Sequence, residues 1–298
     1  MEQVKRSFTE REFAVPWGHI AAKIYGSPGQ PCVLMVHGTL DNCGSFERLL
    51  KYLPTEFLYV CIDLPGHGLS TAFPGGVPLI LYNYVYSIKL VLDSLNWASC
   101  IYIGHSLGAA LGTYFNAIYP KRITKLIALD GILSYPTEKD QLIPTLREYY
   151  NLEAYTDDSD RIYTKEEIIH ALQFKRKAVL NLAAAEALFQ RAVTKVGENQ
   201  YRYNRDPRMR KSLIPFITMD QQLVFTQALS IPTLLLLQDN GYKQRTLSYI
   251  NQKNRGSVKL GNFTVISMGG NHDHHNNHPE AVAPYIITFL QSNLNSKL

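Results

Sequence analysis

The 298-residue sequence is poor in cysteine, with four residues: Cys32, Cys43, Cys61 and Cys100. They lack the paired spacing of a disulfide framework or a thiolate metal site. Three of them sit in or beside apolar runs, where a thiol behaves as a small hydrophobe. No apolar stretch is long enough to cross a membrane. The opening "MEQVKRSFTEREF" has no apolar h-region, so secretion is not indicated and a soluble, cytoplasmic protein is expected. There is no internal repeat, no low-complexity tract and no wide basic stripe. The strongest basic cluster, "RYNRDPRMRK" at 202–211, carries five basic side chains against Asp206, and nucleic-acid binding would need more.

What is present is a large apolar content, 46% against 18% charged, enough for one large domain or a domain with an insertion. Continuous apolar runs at 31–36, 57–63, 100–104, 123–130, 231–237 and 262–268 read as strands buried on both faces. "REFAV" and "HIAAKIYG" read as an antiparallel pair leading in. Helical spacing follows at 81–97, after Ser106, and at 279–294, where Pro279 suits a first turn. Strands alternating with helices predict a mostly parallel sheet with helices on both faces. Between Leu133 and Ser230 the rhythm breaks into charged, helical sequence without a convincing buried strand. About ninety residues is too long for a structureless loop. Residues 134–230 are therefore expected to form a helical cap over the carboxyl ends of the strands, with 1–133 and 231–298 as the core.

Chemistry is concentrated at "IYIGHSLGAALGTYF" (101–115), where an apolar run ends in G-x-S-x-G and turns at once into a helix. That context makes Ser106 a nucleophile on a strand-to-helix elbow, against the alternative of a helix N-cap. A serine hydroxyl needs a base, and the chain order serine, acid, histidine selects the late cluster "GGNHDHHNNHPE". A metal site is the rival reading of four histidines in a loop, but no H-E-x-x-H or second ligand group accompanies them. An acyl oxyanion needs N–H donors, expected from Leu107 and from Thr39 after "VLMVHG".

The sequence resembles the α/β-hydrolases, and within them the serine hydrolase-like (kraken-type) family. "VHGTLDNCGSFERLLKYLP", "VCIDLPGHGLS", "IGHSLGAALGTYF", "KLIALDG" and "GNHDHHNNHPE" occur in that family's order and spacing, and "YNRDPRM" resembles its N-R-D-x-R segment. The resemblance implies an α/β-hydrolase fold with Ser106 as nucleophile and His272, seven residues before Pro279, as base. His275 falls where the family often has a second, non-catalytic histidine. Asp63, Gly66, His67 and Gly68 match a motif that builds a loop.

The acid of the triad is expected at Asp130, ending "LIALD", with Asp239 in "QDNGYKQ" as the alternative. Gly241 stands where a G-x-x-D ending would put a carboxylate. The expected activity is hydrolysis of a small-molecule carboxylic ester through an acyl-serine, with neither metal nor organic cofactor. The competing possibility is a ligand receptor or degenerate hydrolase that kept the pocket, since fold does not determine function. Cap residues Tyr149, Tyr150, Leu188, Phe189, Phe216 and Phe225 more often build core than pocket in such a segment. The closing tripeptide Ser296-Lys297-Leu298 is a peroxisomal address if the source is eukaryotic.

Overall fold

The alternation of apolar side chains along each central strand dictates a sheet with two buried faces. The computed structural model describes residues 6–151, 161–210, 213–253 and 262–292, so the tripeptide Ser296-Lys297-Leu298 lies outside the described residues. The chain enters through β1 (Thr9–Val15) and β2 (Gly18–Tyr25), then forms β3 (Cys32–Val36), a short helix α1 (Glu47–Leu50), β4 (Leu58–Ile62), α2 (Leu81–Ser94), β5 (Cys100–His105), α3 (Leu107–Ile118) and β6 (Ile123–Leu129).

After β6 come α4 (Leu142–Tyr150), α5 (Lys165–Phe174), α6 (Leu182–Ala192), the strands β7 (Val193–Gly197) and β8 (Gln200–Tyr203), and α7 (Met219–Gln227). The chain returns through β9 (Thr233–Asn240), α8 (Lys243–Lys253), β10 (Phe263–Asn271), the short α9 (His274–Asn277) and α10 (Pro279–Gln291). The large sheet has the order β1-β2-β4-β3-β5-β6-β9-β10. It is parallel from β4 to β10 and antiparallel at the β1–β2–β4 end. No described helix is long and apolar enough to cross a membrane.

Leu34 and Val36 face one core with Tyr84, Val85 and Ile88 of α2 and Leu111 and Tyr114 of α3. Val33 and Met35 face the other, with Leu49 and Leu50 of α1 and Val282, Ala283 and Ile286 of α10. Helix α2 stops earlier than its apolar pattern suggests, because Asn96 takes φ 54° just beyond it, a left-handed turn that asparagine tolerates. Strand β10 is half-exposed rather than buried on both faces, since it forms the sheet edge with β9 as its sheet neighbour.

Between β6 and β9, helices α5 and α6 build a small core of their own around Ile168, Leu172, Leu180, Leu188 and Phe189. The charged, helical sequence of 165–193 divides into two helices because Asn181 caps α6, accepting from the Ala184 N–H at 2.9 Å. The run then ends in the hairpin β7–β8, which sequence patterning did not reveal: its side chains are largely exposed and carry no buried apolar stripe.

Candidate active site

Ser106 stands between β5 and α3 with φ 51° and ψ −110°, a conformation that L-residues other than glycine rarely adopt. The turn is tight enough that a Cβ at Gly108 would lie 2.0 Å from the Val36 carbonyl oxygen, so the helix can approach β3 only with glycine there. Ser106 N–H donates to the Leu129 carbonyl at 3.0 Å, tying the elbow to β6. Leu107 opens α3, where the first N–H groups have no acceptor within the helix. Thr39 follows β3 in a loop that turns through Leu40 at φ 63°. His37 braces that loop: its Nε2 accepts from the Leu64 N–H at 3.0 Å, which leaves the proton on Nδ1 to donate to the Gly38 carbonyl at 2.7 Å. Complete burial pushes the His37 pKa down and keeps it neutral.

His272 follows β10 directly. Its Nδ1 is 2.5 Å from Oδ2 of Asp130, which ends β6 at φ 48° and is fully buried. Both Asp130 oxygens are also held from the end of β9 and the loop after it. Gln238 N–H donates to Oδ1 at 3.1 Å, and Tyr242 N–H lies 3.0 Å from Oδ2. Asp239, the alternative acid, is exposed and pairs instead with Lys243 at 2.7 Å. Ser106, His272, Thr39 and Leu107 all line one cavity of about 870 Å³.

The other histidines of the late cluster have separate surroundings. His275 is buried and stacks on His105 at 4.1 Å, with burial and the neighbouring His105 driving its pKa well down. His274 lies against His278 at 5.2 Å. Among the described residues, the metal-ligand side chains that converge are a different set: Asp41, His105 and Asp273, with one atom from each within 4.8 Å of the others. The Arg176 guanidinium already bridges the two carboxylates, at 2.9 Å from Asp41 Oδ1 and 2.9 and 3.0 Å from the Asp273 oxygens. The donor set therefore fits a salt-bridge cluster better than a cation site.

That cluster was not legible in sequence, where Arg176 sits in a run, "KRK", that reads as solvated surface. Its partner His105 donates from Nε2 to the His272 carbonyl at 3.0 Å and faces Asp41 at 3.6 Å from Nδ1. Burial would lower the His105 pKa, but contact with Asp41 and the charge of Asp273 outweigh it and raise it. Arg176, from the loop between α5 and α6, thus reaches both the loop after β3 and the loop that carries His272.

The D-x-x-G-x-G motif forms a separate hub. Asp63 accepts from Cys43 N–H at 2.8 Å, Leu69 N–H at 2.9 Å and Arg191 Nε at 2.9 Å, and Arg191 pairs with Glu10 at 2.7 Å. Of the apolar residues expected in the cap, Tyr150 is exposed and the others build structure. Leu188 and Phe189 belong to the α5–α6 core, Phe216 packs on Tyr149 at 4.9 Å, and Phe225 on Tyr114 at 4.8 Å. The cavity wall uses other aromatics: Tyr135, Tyr163, Tyr203 and Tyr242.

A family model described as alpha/beta hydrolase fold matches residues 31–277. The chain is 34% identical over 300 residues to serine hydrolase-like protein 2 of Homo sapiens, covering 95% of this chain and 94% of that one. It is 32% identical over 305 residues to the serine hydrolase-like protein of Danio rerio, covering 97% and 90%. The crystal structure of a hypothetical protein from Pseudomonas aeruginosa superposes with a TM-score of 0.83 at 26% identity, covering 94% of this chain and 99% of that one. With an elbow serine at the end of β5 and a parallel sheet running from β4 to β10, the chain belongs to the α/β-hydrolase superfamily and, within it, to the serine hydrolase-like family.

Proposed function

We propose that the chain is a carboxylic-ester hydrolase that works through an acyl-serine, with Ser106 as nucleophile, His272 as base and Asp130 as the acid that orients it. The carrying observation is the 2.5 Å contact between His272 Nδ1 and Asp130, with His272 on the same cavity as the elbow serine. A carboxylate at Nδ1 fixes the proton there and leaves Nε2 as the basic nitrogen. As Ser106 Oγ attacks the ester carbonyl, its proton passes to His272 Nε2 and the carbonyl π electrons move onto oxygen. The Leu107 and Thr39 N–H groups stabilise that oxyanion. Collapse expels the alcohol, which takes the His272 proton, and leaves the acyl-serine. Water then attacks, gives its proton to His272, and the second collapse returns that proton to Ser106 and frees the acid. Every step uses protein groups and water.

Residues 134–230 act as the cap that sets acyl and alcohol specificity, because the pocket wall rather than the triad discriminates such groups. Labelling with a fluorophosphonate, followed by hydrolysis of p-nitrophenyl esters of graded chain length, tests the proposal. Covalent modification at Ser106 with turnover supports it. A folded protein that neither labels nor turns over is a receptor on a hydrolase fold, and the hydrolase reading fails.

A further inference from the structure

The N-R-D-x-R segment is largely accounted for as an anchor between cap and core. Asn204 donates from its N–H to the Ala192 carbonyl at 2.9 Å and from Nδ2 to the Arg191 carbonyl at 3.1 Å. Asp206 N–H donates to the Gly66 carbonyl at 2.8 Å, and Arg208 binds Asp206 together with the Phe73, Pro74 and Val77 carbonyls. Arg205 alone among these turns to the cavity that Ser106 lines. Its guanidinium lies 4.4 Å from the Tyr203 ring centroid.

Arg161 mirrors it. Its guanidinium lies 5.0 Å from the Tyr163 ring centroid, and the two tyrosines meet edge to face at 5.2 Å. Tyr163 pairs with Tyr201 in an isolated antiparallel bridge, so β8 brings Tyr203 and Arg205 alongside Arg161 and Tyr163. All four side chains line the cavity. Among the described residues no carboxylate lies within ion-pair distance of either arginine. Exposed Lys175 and Lys177 add charge of the same sign to the wall. Of the acids on that wall, Asp41 and Asp273 are already bound to Arg176, and Glu167 accepts from the Thr164 N–H at the start of α5.

We propose that Arg205 and Arg161 form an anion subsite in the cap wall, which takes a carboxylate or phosphate group at the end of the substrate remote from the ester. The inference rests on the hydrolase reading for its substrate, though not for its binding. Stacking on tyrosine holds a guanidinium plane while leaving its N–H edges free, which suits bidentate recognition of an oxyanion. Two such forks, with two lysines on the same cavity wall, concentrate positive charge on that side of the cavity.

The test separates binding from catalysis. Calorimetry on the full-length protein compares N-butylglutaramic acid with uncharged N-butylpentanamide, and N-butanoylethanolamine phosphate with N-butanoylethanolamine. The first pair probes a carboxylate on the acyl side, the second a phosphate on the alcohol side. At least one anionic member is expected to bind about tenfold or more tighter than its neutral partner, as charge-assisted pairing allows. The Arg161→Gln/Arg205→Gln protein is expected to lose that margin, and Arg161→Lys/Arg205→Lys to keep part of it. Fluorophosphonate labelling of Ser106 is expected to stay within about threefold in both proteins, since the probe carries no second anion.

Asp157, Asp158 and Asp160 precede Arg161 in the sequence, outside the described residues. Counter-ions supplied by the chain itself would show as absence of selectivity in the wild-type protein, and that result overturns the proposal. So does an anion preference that survives the double glutamine variant with its fold intact by thermal melting. Loss of labelling in the wild type, by contrast, strikes only the hydrolase reading.

Discussion

A Cβ placed on Gly241 would lie 2.0 Å from Oδ2 and 2.6 Å from Cγ of Asp130, so position 241 and the Asp130 carboxylate compete for one place beside His272. In this chain the carboxylate beside His272 comes from the end of β6, and Gly241 leaves the room for it. Asp130→Asn is expected to cut ester turnover by roughly 10³ to 10⁴, because it favours the wrong His272 tautomer. Asp239→Asn should cost far less. Gly241→Ala should also slow turnover by crowding the Asp130 carboxylate. Moving the acid across, as Asp130→Gly with Gly241→Asp, should recover about tenfold or more over Asp130→Gly alone, since a one-ångström error in such a group can cost about 10². Rates of one p-nitrophenyl ester across the set decide it, and a slower Asp239→Asn than Asp130→Asn would move the acid.

Ser106 holds φ 51° at the cost of backbone strain, so function and stability should pull apart at this position. Ser106→Ala is expected to lower turnover by roughly 10⁴ to 10⁶ with the fold intact. Ser106→Gly should be equally inactive yet more stable than Ser106→Ala by about 1 kcal/mol or more, because glycine occupies positive φ without strain. Chemical denaturation of both variants checks the ranking. Undiminished hydrolysis by either folded variant would falsify the scheme.

How much of this could be read in advance depended on how local each signal was. The elbow at 104–108, the parallel strands and the late histidine are short-range patterns, and they stand in the sequence as they stand in the fold. Asp130 is preferred to Asp239 in the sequence only by its place at a strand end, because the contact with His272 joins residues 142 apart and turns on the space left by Gly241. The hairpin β7–β8 was hidden because it buries almost no apolar face. Arg176 was hidden for a related reason: a cation in a basic run reads as solvated until two buried carboxylates from other loops are seen beside it.

Buried neutral histidines should make the protein acid-labile. Burial, with His37 alongside, pushes the His67 pKa down to about 3. Since the unfolded chain takes up that proton first, near its ordinary 6.5, the stability from neutral His67 is complete above that pH and is lost as pH falls toward 3. Each pH unit below the ordinary value removes ~1.4 kcal/mol, so by pH 5 the loss from this group alone is about 2 kcal/mol. His37 and His275 act in the same direction, and His105, whose pKa is raised, in the opposite one. Denaturation at pH 7.5 and pH 5 should show the decline, and His67→Asn should make it shallower. An equal slope in that variant would remove His67 from the account.

Under the proposed function, Arg176 is expected to be the contact through which the segment between α5 and α6 holds the loops bearing Thr39 and His272 in register. It neutralises Asp41, whose carboxyl burial would otherwise push up but which Arg176 and His105 draw well below the usual range. It also neutralises Asp273, the residue after His272. Arg176→Met leaves two buried carboxylates facing each other and His105. The cost should be about 2 kcal/mol of stability, below the ~3–5 kcal/mol of a fully buried pair because 20% of the Arg176 side chain is exposed. Displacing the His272 loop and the Thr39 loop should lower kcat by about tenfold to a hundredfold on a neutral ester, with a smaller change in KM. Arg176→Lys keeps the charge but cannot bridge both carboxylates in one plane, and should fall between. If Arg176→Met loses stability yet keeps wild-type kcat, the cluster holds the cap in place without positioning the catalytic loops.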